Sequence, residues 1–253
     1  MKKHIPNLIT LLNLLSGLMA VIFALKGDLA LASFLIMLGI IFDFFDGFAA
    51  RLLNVSGELG KQLDSLADMV TSGAAPAMIM YKLLEKSQEN TVWYQELSST
   101  IGSWVPTDDT TFYYFPFIGL LIALASAYRL AKFNIDTRQT SSFIGLPTPA
   151  ASLVIVALPL IQIYSSNITA LNLTNSKVFL ISITILLSIL MNVELPLFSL
   201  KFKNFSIKDN WYVFLFLLIS IILLTWLHFV AIPLIIGIYI VMSVIINLQK
   251  NNL

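Results

Sequence analysis

Four aspartates stand inside two of the apolar stretches of this chain: Asp43 and Asp46 in IIFDFFDGFAAR, and Asp64 and Asp68 in GELGKQLDSLADMVTSG. An aspartate at the centre of a membrane helix costs about 2.5–3.5 kcal/mol, so four unpaired ones would cost on the order of 10 kcal/mol. Their spacing suggests what compensates them. Asp43, Asp46, Gly47, Ala50 and Arg51 fall at i, i+3, i+4, i+7 and i+8, and Gly60, Asp64 and Asp68 at i, i+4 and i+8, so each set forms one stripe of a helix. A short connection between Arg51 and Gly60 predicts that the two helices are antiparallel neighbours whose stripes face each other. Crowded carboxylates repel unless cations hold them ionised. Hard divalent ions such as Mg2+ take oxygen ligands of this kind and commonly share them with a substrate phosphate. A two-metal carboxylate site is the simplest solution, and it suits phosphate chemistry. Gly47, Gly57 and Gly60 would let a bulky anion approach the backbone, and Arg51 can pair with phosphate. The plainer alternatives are a proton relay or a partner for a basic side chain for a single Asp, and helix packing for each glycine.

The elements that must carry these stripes follow from composition. Of 253 residues 58% are hydrophobic and 11% charged, with 15 Lys+Arg against 14 Asp+Glu. A soluble domain is less apolar and more charged, so the chain reads as an integral membrane protein. The net charge of +1 excludes a nucleic-acid surface built on bulk basicity. Zero cysteines exclude disulfides, thiolate metal sites and cysteine nucleophiles. About 20 apolar residues cross a bilayer, which gives eight expected spans at 7–25, 29–50, 61–83, 113–131, 146–165, 174–195, 210–227 and 229–248. The N-terminal run superficially resembles a signal peptide, but its apolar part is too long for one and is read as a retained first helix. The expected fold is all-α: one polytopic membrane domain over residues 1–253, with a catalytic core at about 5–195 and further helices at about 210–248. Pro159, Pro196 and Pro233 are expected at helix ends or kinks.

Basic residues set the orientation. With a cytoplasmic N-terminus that side collects Lys2, Lys3, Arg51, Lys61, Arg129, Lys132, Arg138, Lys201, Lys203, Lys208 and Lys250, and the other side Lys26, Lys82, Lys86 and Lys177. Eleven against four places Asp43, Asp46, Asp64 and Asp68 in the cytoplasmic half of the membrane, and the acidic connection at about 84–112 outside.

Asp43 to Asp68 spell D-x2-D-G-x2-A-R-x8-G-x3-D-x3-D, eight fixed residues over 26 positions. This pattern resembles the signature of the CDP-alcohol phosphatidyltransferase family, membrane enzymes that move a phosphoalcohol group from a CDP-linked donor to an acceptor hydroxyl. The resemblance implies that Asp43 and Asp64 touch two divalent ions, Mg2+ or Mn2+, with Asp46 on the first and Asp68 on the second. Asp68 would also be the base for the acceptor hydroxyl. It implies that Asp43, Gly47, Arg51, Gly57 and Gly60 contact CDP-diacylglycerol, and that Asn7 and Thr10 of IPNLIT line the nucleotide pocket. Asn7 and Thr10 also suit a helix start or packing. A homodimer in the cell (inner) membrane, with the active site facing the cytoplasm, belongs to the same expectation.

The acceptor must be read elsewhere. IPNLITLLNLLSG, GKQLDSLADMVTSGAAPA, SAYRLAKFNIDT and FIGLPTPAA resemble the phosphatidylserine synthase subgroup, with Lys132 standing where arginine is expected. L-serine is a zwitterion, and Arg129, Lys132 and Asn134 are the candidates for its recognition. Arg129 and Lys132 are equally explained as the basic flank of a membrane helix. Glycerol phosphate or inositol phosphate would call for a denser basic cluster. From another class, a cation- or proton-coupled transporter could use the same aspartates, although no second half repeats them.

Overall fold

The computed structural model describes residues 4–55, 57–89, 115–136, 143–197 and 210–251. Most of the acidic connection at 84–112 lies outside these residues, as do Lys2, Lys3, Arg138, Lys201, Lys203 and Lys208, and nothing is described of the Lys250 side chain.

Helix α1 (His4–Leu25) buries Pro6, Thr10, Asn13, Ser16, Gly17, Ala20 and Ala24, a stripe of small and polar residues. Its outward face carries Leu8, Leu11, Leu15, Leu18 and Ile22. Large apolar residues outside and small or polar ones inside is the pattern that lipid demands, because lipid rewards close helix packing rather than further apolar burial. Gly27 turns the chain at φ 85°, with Asp28 N–H donating to Phe23 O at 3.0 Å. Asp28 then caps α2 (Leu29–Leu52) by accepting from Leu31 N–H at 3.0 Å. After a turn through Asn54 at φ 52°, α3 (Glu58–Asp68) begins. It runs through a π-helical turn (Met69–Ala74) into α4 (Ala75–Glu89).

A 3-10 segment (Phe115–Leu120) leads into α5 (Leu121–Ile135). Strand β1 (Phe143–Ile144) pairs antiparallel with β2 (Pro196–Leu197), Phe143 opposite Leu197. Between them lie α6 (Thr148–Tyr164), α7 (Ile168–Asn175) and α8 (Lys177–Asn192). From Val154 to Ile161 α6 is buried without a break, which makes it the central helix of the described bundle. Pro159 lies in this helix, Pro196 in β2, and Pro233 in the first turn of α10 (Ala231–Asn251). Helix α9 (Trp211–Leu227) precedes α10, with His228 at φ 47° between them.

The polytopic helical class is as expected, and the helix bounds fall within a few residues of the expected spans except the third and sixth. The count of eight spans is not confirmed: among the described residues four stretches are long and apolar enough to cross a membrane, five if α7 and α8, bent by 75°, form one span. The helix run from Glu58 to Glu89 carries the site's charges, and α6 has only 17 residues. The 38 residues Trp211–Leu248 form one helical stretch by length, yet the rings of Phe216 and Tyr239 lie 5.7 Å apart. A straight helix would separate them by about 35 Å, so the chain doubles back at His228.

Candidate active site

The expected facing of the aspartate stripes is met in part. Helix α1 packs along both α2 and α3, while α2 and α3 make little backbone contact with each other. Their carboxylates close the gap: oxygens of Asp43, Asp64 and Asp68 all lie within 4.8 Å of one another. Asp68 is buried and Asp43 and Asp64 half-buried. Three hard oxygen ligands at this spacing fit a divalent cation. Asp46, also buried, stands apart from that triad and accepts from Thr10 Oγ1 at 2.5 Å.

Beside the triad lies a cleft of about 220 Å³. Its wall gathers residues that the sequence singled out separately: Asn7 and Thr10 from α1, Asp46 and Gly47 from α2, and Gly57, Gly60 and Asp64 at the start of α3. The glycines divide into two kinds. A Cβ on Gly17 or Gly39 would collide with Thr71, so these two serve packing. A Cβ on Gly57 would meet nothing within 4 Å, and one on Gly47 only the Arg51 guanidinium at 4.0 Å. A Cβ on Gly60 would meet Asn7 Oδ1 at an ordinary contact distance of 3.5 Å. Gly47 and Gly57 therefore keep a surface open for a ligand, with the exposed Arg51 beside Gly47.

The three acceptor candidates part company. Arg129 is 7% exposed and lies within electrostatic reach of Asp68, with its guanidinium 5.9 Å from the Phe133 ring and Nε without a hydrogen-bond partner. Lys132 is spent in an ion pair with Glu194 at 2.9 Å. Asn134 Nδ2 donates to Ser65 Oγ at 2.9 Å, and its backbone carbonyl accepts from Lys61 Nζ at 2.9 Å.

Sequence reasoning missed Asn13, which is fully buried and donates from Nδ2 to Asp68 Oδ1 at 3.2 Å. Its signal was present, since Asn7, Thr10 and Asn13 recur every three residues along an otherwise apolar helix. Thr71 was missed too; its hydroxyl donates to Asn13 O at 3.0 Å and ties the π-turn to α1. Lys61 had been read only for orientation, yet it lines the cleft.

Comparison with known proteins bears on the same residues. A family model described as CDP-alcohol phosphatidyltransferase matches residues 3–246. A CDP-diacylglycerol–serine O-phosphatidyltransferase of Bacillus subtilis is 36% identical over 160 residues, covering 62% of this chain and 75% of that one. A protein of the same name from Helicobacter pylori is 32% identical over 224 residues, 86% of this chain and 79% of that one. An archaetidylserine synthase of Methanothermobacter thermautotrophicus is 29% identical over 181 residues, 70% of this chain and 67% of that one. With the eight-residue signature, the aspartate triad and a match along nearly its whole length, the chain belongs to the CDP-alcohol phosphatidyltransferase family.

Proposed function

We propose that the protein is a phosphatidylserine synthase: it transfers the phosphatidyl group of CDP-diacylglycerol to the hydroxyl of L-serine, giving phosphatidylserine and CMP. The observation that carries this reading is the convergence of Asp43, Asp64 and Asp68 beside a cleft with open glycine surface, in a chain whose relatives bear that enzyme's name. Asn7, Thr10, Gly47, Gly57 and Gly60 receive the nucleotide end of the donor, and Arg51 closes over its phosphates. Asp43, Asp46, Asp64 and Asp68 hold two divalent ions, Mg2+ or Mn2+. When bound, such ions neutralise the pyrophosphate and orient the attacking and leaving oxygens.

Asp68 serves as general base. Asn13 occupies its Oδ1, which leaves Oδ2 to take the proton of the serine hydroxyl as that oxygen attacks the lipid-side phosphorus. The bond from that phosphorus to the bridging oxygen breaks, and CMP departs with the electron pair. Of the acceptor candidates Arg129 has a buried donor, Nε, without a partner, while Lys132 and Asn134 support α5 through Glu194 and α3.

All 253 residues are read as one membrane domain, with α9 and α10 as scaffold; Asn247 Nδ2 donates to Pro196 O at 2.5 Å and joins α10 to β2. The protein is assigned to the cell membrane as a homodimer with a cytoplasm-facing site, on the resemblance and the charge asymmetry. The experiment is CMP release by purified protein given CDP-diacylglycerol, Mn2+ and a panel of alcohols, on a preparation whose mass in detergent also tests the dimer. Release that requires L-serine, and is abolished in Asp68→Asn while donor binding persists, is the expected result. Release that requires glycerol phosphate instead would refute the acceptor, and full turnover in Asp68→Asn would refute the base.

A further inference from the structure

A guanidinium withdrawn from water needs an anion or a set of hydrogen-bond acceptors, because an uncompensated buried charge is strongly destabilising. Arg129 is buried, yet among the described residues the ion pairs are Lys82–Glu85 and Lys132–Glu194, and neither involves it. Asp68 is the carboxylate within its electrostatic reach, but that group is held by Asn13 and belongs to the triad.

Two other buried polar atoms are also without partners: Ser72 Oγ and Thr148 Oγ1, on residues each 1% exposed. Hydrogen bonds draw these residues together. Ser152 Oγ donates to Ser72 O at 2.8 Å and to Thr148 O at 3.0 Å. Ser126, one turn before Arg129, approaches Ser72 O at 3.5 Å. Ser72 itself follows Asp68 by one turn. Thr148 opens the 17-residue helix α6, whose first N–H groups and dipole favour negative charge. Arg129 and Ser72 adjoin the proposed base, and Ser152 ties Ser72 to Thr148 at the start of α6; a guanidinium, two hydroxyls and a helix N-terminus linked in this way make a receptor for a small anion.

We propose that Arg129, Ser72, Thr148 and the N-terminus of α6 bind the carboxylate of the acceptor amino acid. This rests on the acceptor reading given above. Arg129 is not on the wall of the nucleotide cleft and borders a separate void with Asn192, which favours an anion from the acceptor over the donor's phosphates. Asn192 Oδ1, buried and unpartnered, is the acceptor left for the ammonium, and Asn192 and Arg129 border the same small void. That void is about 10 Å³, room for one water at most. Entry of an amino acid therefore requires neighbouring side chains to part, and Lys132, paired with Glu194, stands at its edge.

The test compares L-serine with L-serinamide, which keeps the hydroxyl and ammonium but lacks the carboxylate, as acceptors for CMP release from CDP-diacylglycerol with Mn2+. Wild type is expected to prefer L-serine. In Arg129→Gln, kcat/KM for L-serine should fall on the order of 100-fold, as for the loss of one partner of a buried charged pair, with L-serinamide little changed. Thr148→Val should shift the preference the same way by about tenfold, which keeps the proposal testable if Arg129→Gln does not fold. Arg129→Lys should recover part of the loss, since it restores the charge without the planar fork. Equal losses for both acceptors, with KM for CDP-diacylglycerol raised, would assign Arg129 to the donor phosphates; equal losses with that KM unchanged would make it structural. Either outcome, or a wild type indifferent to the carboxylate, overturns the proposal. A wild type that ignores L-serine altogether fails the acceptor reading before any variant is made, so the two failures are distinct.

Discussion

At the scale of single residues, Asn13 is the least conspicuous member of the site. Its Nδ2 holds Asp68 Oδ1, and its backbone carbonyl accepts from Thr71 Oγ1. A hydrogen bond to a charged group contributes about 1.5–3 kcal/mol. Asn13→Ala is therefore expected to lower the thermal midpoint in detergent and to lower kcat by about 10- to 100-fold, with KM for both substrates nearly unchanged. An unaltered kcat would show that Asp68 does not depend on this bond. The four aspartates were legible in the sequence because charge is costly in an apolar helix and demands a reason. Asn13 was harder to see, because a neutral amide in a membrane helix is tolerated for packing and only its neighbours at Asn7 and Thr10 single it out. Arg129 was visible, but nothing in its surroundings separated it from Lys132. Burial made the separation: Lys132 reaches exposed Glu194, whereas Arg129 turns inward toward Asp68.

Among the elements, the join of α1, α2 and the π-turn positions the base. Thr71 is wedged between two helices that both present glycine to it: a Cβ on Gly17 would strike Thr71 Oγ1 and its backbone, and one on Gly39 would strike Thr71 Cγ2 and lie 2.9 Å from Asn13 Oδ1. Overpacking of this kind typically costs about 1–3 kcal/mol. Gly17→Ala and Gly39→Ala should each lower the thermal midpoint and the activity. Thr71→Ser removes Cγ2 but keeps the hydroxyl, so it should restore much of what Gly39→Ala loses and little of what Gly17→Ala loses, since that clash includes backbone. Equal rescue of both variants, read as thermal midpoints in detergent, would contradict the wedge. Hydropathy placed most helices to within a few residues. It could not foresee the π-turn after Asp68, because a shifted backbone hydrogen-bond pattern leaves no mark in MVTSGA, nor that α1 would lie against both aspartate helices. The bend at Ser176 was hidden for a similar reason, since α7 and α8 are apolar on both sides of it.

For the molecule as a whole, function depends on which face of the membrane holds the cleft, because a CDP-linked donor is met from the side where nucleotides are. Helix α2 separates two connections: Lys26 to Asp28 at its start, and the turn through Asn54 leading to Glu58 at its end. Its 24 residues span about 36 Å, enough to set the two connections on opposite sides of the hydrocarbon core. The cleft lies at the Glu58 end, bordered by Val55, Gly57 and Lys61. In the proposed orientation, read from the excess of Lys and Arg, that end faces the cytoplasm. The chain has no cysteine, so one introduced thiol reports one position. Lys26 and Glu58 are both exposed, and their replacement by Cys removes no contact to the triad. In intact cells a membrane-impermeant maleimide is expected to label Lys26→Cys and to spare Glu58→Cys, which should react only after the membrane is opened. Labelling of Glu58→Cys in intact cells, with Lys26→Cys protected, would invert the molecule and place the cleft away from its nucleotide donor.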